Sequence, residues 1–174
     1  MTTVRAARAD DLERLREIEV EAGRLFAEVG MDSVAEDPPP SFAALEASRR
    51  EGLLWVAVDE EDRPVGYARA RMVDDLGHLE QVSVTPTAGR RGAGTALVEQ
   101  VCSWSAAMGH PAVTLSTFAT VAWNAPFYGK LGFRILADDE LTPGLRADRV
   151  HEAAVGLDTS ARVFMRREAR PPAR

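Results

Sequence analysis

The chain has 174 residues, 45% hydrophobic and 28% charged, with a net charge of −6 at pH 7, the profile of a globular protein able to bury about two-thirds of its unfolded surface. Its single cysteine, Cys102, excludes an internal disulfide, and with three histidines a structural zinc site is not expected, so the reading is a metal-free protein of a reducing, cytoplasmic setting. The acidic balance argues against general nucleic-acid binding and no apolar run approaches 18 residues, so neither nucleic acid nor a membrane is an expected partner.

Residues 2–8 alternate weakly and predict an edge strand. Asp10, with Glu13 three residues on, reads as the capping box of a first helix, along which Leu12, Leu15, Ile18, Ala22, Leu25, Phe26 and Val29 recur at helical spacing before Gly30 ends it. Residues 31–40 read as an acidic, proline-rich loop. Ser41 caps a second helix over 42–50, ended by Gly52. Residues 53–59 and 64–73 predict a hairpin turning at 60–63, and 78–85 the next strand. A helix over 93–108, a buried strand over 111–118, a short helix from Asn124 over 125–131 and a strand over 133–137 follow. The tail reads as an acidic loop, a helix over 145–156 and a last strand over 162–166. Residues 1–168 form one domain in this reading, with a disordered tail at 169–174. A sheet edge or the tail strand offers a route to a homodimer.

Three strands joined by tight turns must be antiparallel, while the helix over 93–108 makes its flanking strands parallel. The chemistry concentrates in the stretch Val82-Ser-Val-Thr-Pro-Thr-Ala-Gly-Arg-Arg-Gly-Ala-Gly-Thr-Ala-Leu97. A strand stops at Pro86, and a glycine- and arginine-rich turn leads into a helix. Free backbone N–H groups, two guanidiniums and the positive end of a helix dipole suit a polyphosphate. No lysine is present for a Walker-type loop, and Leu97 occupies the third-glycine position of a dinucleotide fingerprint. An unrelated nucleotide-binding domain is therefore disfavoured.

The turn resembles the pyrophosphate loop of the GNAT superfamily of N-acetyltransferases, [QR]-x-x-G-x-[GA], here Gly89-Arg-Arg-Gly92-Ala-Gly94 after Val84-Thr-Pro86. A second segment, Asn124-Ala-Pro-Phe-Tyr128-Gly-Lys-Leu-Gly132-Phe133, resembles the family's N-x-x-A-x-x-F-Y-x-x-x-G-F signature. Gly89 departs from the family, which has Gln or Arg there, and leaves Arg90 or Arg91 to supply the side-chain contact. The resemblance implies an α/β GNAT fold, a mixed central sheet of six to seven strands with helices on both faces. It also implies acetyl-CoA as co-substrate, no metal, and a small-molecule or peptide amine as acceptor. A non-catalytic acyl-CoA-binding or regulatory module on the same fold is the alternative.

Carried onto this sequence, the resemblance puts the backbone of Val82, Ser83 and Val84 along the pantetheine arm. It puts the amides of Arg90, Arg91, Gly92, Ala93, Gly94 and Thr95 around the pyrophosphate, and Asn124, Phe127 and Tyr128 beside the cofactor. Asn124 is also expected to cap its helix. Tyr128 is the expected acid, because thioester aminolysis expels a thiolate that a phenol can protonate. Glu80, two positions before Val82 and read as sharing its face, is the expected base, with His78, Ser83 and Thr117 as weaker substitutes. Cys102 reads as core. Phe26, Glu28, Asp32, Glu36 and Asp37 would line an acceptor mouth suited to a cationic amine.

Overall fold

The computed structural model describes residues 2–170, so the C-terminal part of the tail expected to be disordered, 171–174, lies outside the described residues. Seven strands form one mixed sheet in the order β1-β2-β3-β4-β5-β7-β6. They are β1 (Thr3–Ala6), β2 (Leu54–Val58), β3 (Pro64–Val73), β4 (Leu76–Val84), β5 (Ala112–Phe118), β6 (Arg134–Ile135) and β7 (Arg162–Glu168). The helices are α1 (Leu12–Ala27), α2 (Asp32–Ala35), α3 (Phe42–Arg50), α4 (Ala93–Ala107), α5 (Ala125–Lys130) and α6 (Pro143–Ala154). Two compact units divide the chain: residues up to Ala70 with Gln81–Gln100, and Arg71–Glu80 with the residues from Val101 on.

In the first unit β1 and β3 flank β2 antiparallel, with Val4 opposite Ala57 and Val56 opposite Tyr67. The all-buried strand LWVAV supplies Leu54, Val56 and Val58 to a cluster completed by Leu15 and Ile18 of α1, Leu45 of α3 and Tyr67. Leu15, Ile18 and Leu45 are fully buried, each burial stabilising by about 1.5–3 kcal/mol. Ser41 Oγ accepts from Ala44 N at 3.1 Å and caps α3 as the sequence predicts. The expected Asp10 cap is corrected: the residue before α1 is Asp11, and its side chain makes no cap hydrogen bond to the helix. Asp11 accepts from Arg8 N at 2.7 Å while the Arg5 guanidinium donates to the same carboxylate at 2.8 and 3.2 Å. Its ion pair to β1 fixes the turn one residue later, in a 3-10 turn over Ala9–Asp11. The loop over 31–40 holds one helical turn, α2, because the Met31 carbonyl accepts from both Val34 N and Ala35 N at 3.1 Å.

In the second unit β5 runs parallel to β4 and antiparallel to β7, and β7 also pairs with β6. Val73, Leu136, Leu141, Leu145 and Phe164 form its apolar cluster. Thr142 caps α6, its Oγ1 accepting from Leu145 N at 3.4 Å. Beyond β7, Ala169 N still donates to Pro111 O at 2.8 Å.

Candidate active site

The parallel ladder of β4 and β5 is short, with Gly77 opposite Val113 and His78 opposite Thr114. Further along, β4 breaks its alternation. A Cβ on Gly77 would lie 2.5 Å from Ser105 Oγ and 3.1 Å from a Trp104 ring carbon, so Gly77 faces α4. A Cβ on Gly66 would lie 3.1 Å from Val84 Cγ2 and 3.3 Å from Leu97 Cδ1, so Val84 faces α4 as well. Residues seven apart on a regular strand face opposite sides, so β4 slips once between them, in the manner of a bulge. Gln81 and Ser83 bond to Glu19 on α1, and Glu80 bonds to Arg71 of β3, which locates the slip at 80–81. The expectation that Glu80 shares a face with Val82 is thereby corrected: Val82 faces α4 and Glu80 faces away from it.

Glu19 anchors this part of β4. Its carboxylate accepts from the Tyr67 hydroxyl at 2.8 Å, the Gln81 amide at 2.8 Å and the Ser83 hydroxyl at 2.5 Å. Burial, with Glu19 beside it, raises the Tyr67 phenol well above its ordinary range, so it donates at every physiological pH. The sequence analysis missed Glu19, although the signal was there. It sits four residues after Leu15 and three before Ala22, on the apolar stripe, where a carboxylate needs partners.

After β4 the chain turns tightly: Ala88 N and Gly89 N both donate to Thr85 O, at 3.0 and 2.9 Å. Arg90 and Gly92 take positive φ, 66° and 86°. Nothing lies within 4 Å of where a Gly92 Cβ would stand. The following amides, Ala93 to Thr95, open α4 and have no intrahelical partner. The guanidiniums of Arg90 and Arg91 are exposed and make no side-chain hydrogen bond or ion pair among the described residues. A Cβ on Gly89 would meet Pro86 O at 3.3 Å, so the backbone packs tightly where the family's longer side chain would start.

Asn124 does not cap α5; that expectation is corrected. Its Oδ1 instead accepts from Thr117 Oγ1 of β5 at 2.5 Å, leaving the side-chain amide N–H groups to other acceptors. Tyr128, one helical turn on, packs edge-on against Phe127 at 5.2 Å and Phe133 at 5.9 Å. Burial of its surroundings pushes the phenol up to about 12. Its hydroxyl makes no hydrogen bond among the described residues.

Glu80 is ion-paired to Arg71, whose other amino group reaches Asp148 of α6 at 2.7 Å. His78 is buried with Nδ1 2.9 Å from Thr114 Oγ1. Burial first, and Arg71 second, push it down to about 4, against Glu80 and Asp148, so it is neutral at pH 7. On α1 and the turn, Glu17, Glu21, Arg24, Glu28, Pro86 and Thr87 help to line a groove of about 650 Å³. Arg14 bonds Glu17 and Glu21 at 3.0 and 2.8 Å. Of the acids expected at an acceptor mouth, Glu28 lines this groove and Asp32, Glu36 and Asp37 do not.

The model of the acetyltransferase (GNAT) family matches residues 7–133, well over half of the chain. The chain belongs to the GNAT acetyltransferase family. The GNAT protein is 31% identical over 91 residues to the peptidyl-lysine N-acetyltransferase YjaB of Escherichia coli K12, covering 52% of this chain and 56% of that one. It thus spans little more than half the length of that relative. Among solved structures it resembles a GNAT acetyltransferase of Staphylococcus aureus Mu50, with TM-score 0.74, 16% identity and coverage of 98% of this chain and 100% of that one. The PaiA N-acetyltransferase of Thermoplasma acidophilum, solved with coenzyme A, follows at TM-score 0.71 and 16% identity, covering 97% and 99% of the two chains. Both likenesses bear on the fold. Among the described residues no helix of this GNAT protein is long and apolar enough to cross a membrane, and no group of three metal-ligating side chains is assembled.

Proposed function

We propose that the protein transfers an acetyl group from acetyl-CoA to a primary amine by direct attack in a ternary complex, with residues 1–168 acting as one domain and a lysine side chain of a peptide as acceptor. The acceptor follows from the lysine-directed name of the E. coli relative. The observation that carries the reading is the turn after β4. Its helix-opening amides, glycine-rich backbone and two arginines unpaired among the described residues suit a pyrophosphate, and Tyr128 of the family signature keeps its proton at neutral pH.

Bound there, acetyl-CoA supplies an acyl carbon activated as a thioester. The residues of this chain do the rest. The backbone of Val82, Ser83 and Val84 hydrogen-bonds the pantetheine arm, and the slip at 80–81 aims it. Gly89 to Thr95 hold the pyrophosphate, and Asn124 donates its free amide to the cofactor. Phe127 packs beside it. Tyr128 hands its proton to the departing thiolate. Glu80 takes the ammonium proton, directly or through a water.

Acetyl-CoA at high excess should stabilise the protein by a few kcal/mol in a thermal-shift experiment, while ATP and NAD should not. Neutralising Arg90 and Arg91 together should raise the KM for acetyl-CoA about tenfold with a smaller change in kcat, since each exposed arginine contacts the ligand alike in ground and transition states. Equal stabilisation by all three nucleotides rejects the reading. For the base, Glu80→Gln should shift or flatten the pH dependence of kcat/KM; an unaltered profile removes Glu80 from the mechanism.

A further inference from the structure

On the face of the sheet covered by α1 and α3, a cation and an anion each lack a counter-ion. Tyr67 and Arg69 lie two apart on β3, opposite Val56 and Leu54, and so share that face. Arg69 Nε donates to Ser48 Oγ of α3 at 2.8 Å, and Ser48 donates its own proton to Ala44 O at 3.2 Å. Both Nη groups of Arg69 have no partner among the described residues, and the residue is half-buried, so solvent reaches it.

Glu19 is the opposite case. Its Oε2 accepts from the Tyr67 and Ser83 hydroxyls and its Oε1 from the Gln81 amide, all uncharged donors. A carboxylate offers about four acceptor positions, and the one left over is on Oε1. Glu19 is likewise half-buried. The charges within a turn of it on α1 are engaged elsewhere: Arg14 holds Glu17 and Glu21, and Arg16 reaches Pro40 O and the Phe42 ring. On α3, Glu46 is held by Arg49 and Arg50, and Glu51 makes no ion pair among the described residues. Burial and then Glu19 raise the Tyr67 phenol while Arg69 draws it down, so both charges act on one hydroxyl. No ion pair joins them. Half-buried charges are ordinarily paired, so an open guanidinium fork beside an open carboxylate position is a two-point site for a ligand bearing the opposite charges.

We propose that this pair selects the acceptor: the Nη groups of Arg69 bind a carboxylate, and Glu19 Oε1 seats the ammonium of the same molecule. The preferred acceptor is then an amine that carries a carboxylate, either a free amino acid such as lysine or a peptide lysine beside an acidic residue. This deepens the acetyl-transfer reading and rests on it. Gln81 and Ser83 bracket Val82, whose backbone lies along the pantetheine arm in that reading. All of these side chains belong to the first unit. No proton transfer is assigned to Glu19, and Ser48, Tyr67 and Gln81 are positioning residues.

Calorimetric titration of the full chain saturated with coenzyme A tests this without turnover. One arm compares L-lysine with cadaverine, which lacks the carboxylate, and with hexanoate, which lacks the amines. The other compares acetyl-Glu-Lys-amide with acetyl-Gln-Lys-amide. In at least one arm wild type should bind the carboxylate-bearing amine about tenfold more tightly than its neutral counterpart, and that arm identifies the source. Arg69→Gln keeps a donor for Ser48 and should erase the preference while leaving coenzyme A affinity and melting temperature unchanged. A crystal structure of wild type with the tighter ligand should place its carboxylate on the Arg69 Nη groups and its nitrogen at Glu19 Oε1, which decides the matter even where the variant is unstable. No preference in either arm, hexanoate matching L-lysine where L-lysine binds, a preference that survives in Arg69→Gln, or a carboxylate bound away from Arg69 each overturns the proposal. Failure of coenzyme A itself to bind overturns instead the acetyl-transfer reading beneath it.

Discussion

Tyr128→Phe should lower kcat for acetyl transfer by about 10²–10³-fold and change the KM for acetyl-CoA less than about threefold. The substitution is clean because of how the ring is held. Phe127 and Phe133 grip it edge-on, and a phenylalanine keeps both contacts. The hydroxyl makes no hydrogen bond among the described residues, so its removal strands no partner there and should alter stability by less than about 1 kcal/mol. Since burial pushes the phenol up to about 12, the proton is present throughout the working range. The deficit of the variant should therefore be constant from about pH 6 to 10 rather than confined to one limb. Steady-state kinetics across that range, with melting curves alongside, decide the matter. Undiminished turnover at every pH would remove Tyr128 as the acid.

The second large effect is on stability and comes from His78. An ordinary histidine titrates near 6.5, and burial beside Arg71 pushes this one down to about 4 in the folded protein. Below pH 6.5 the unfolded chain takes up a proton that the folded protein refuses. The contribution of neutral His78 is complete above 6.5 and is lost as pH falls toward 4. That interval corresponds to about 3 kcal/mol, or roughly 6–12 °C in melting temperature for a chain of this length. Carboxylates titrate in the lower part of the same window, so the measurement is the difference between wild type and His78→Asn. Asparagine can still bond Thr114, and its curve should be flatter between pH 6.5 and 4. Parallel curves would mean that His78 does not drive the acid loss.

Local patterns carried most of the fold. Residues 64–73 form a strand to the residue, because Pro64 opens it and a tight turn with Asp74 at φ 54° closes it. The α3 cap and the glycine turn after β4 were equally local, which is why the phosphate-like loop could be recognised at all. The failures share another physics. The first helix starts one residue later than expected without a side-chain cap, because Asp11 turns back to Arg8 N and to the strand arginine Arg5. Asn124 left its helix for Thr117, and β4 slipped where neighbouring elements claim Glu80 and Gln81 on one face. Each outcome depends on a partner distant in the chain. Glu19 escaped notice for the same reason: a carboxylate becomes informative only when what surrounds it is known.

The place of β7 has a consequence for how the molecule comes into being. It is the last of the described strands yet lies between β5 and β6, pairing Ala112 with Glu168 on one side and Arg134 with Arg166 on the other. During synthesis β5 and β6 emerge well before the strand they share, and for that interval each offers a bare edge to any passing chain. Pairings across some 50 residues form slowly because loop closure comes first. Chaperone access to that edge while β7 is still being made would therefore govern yield more than the stability of the finished protein does.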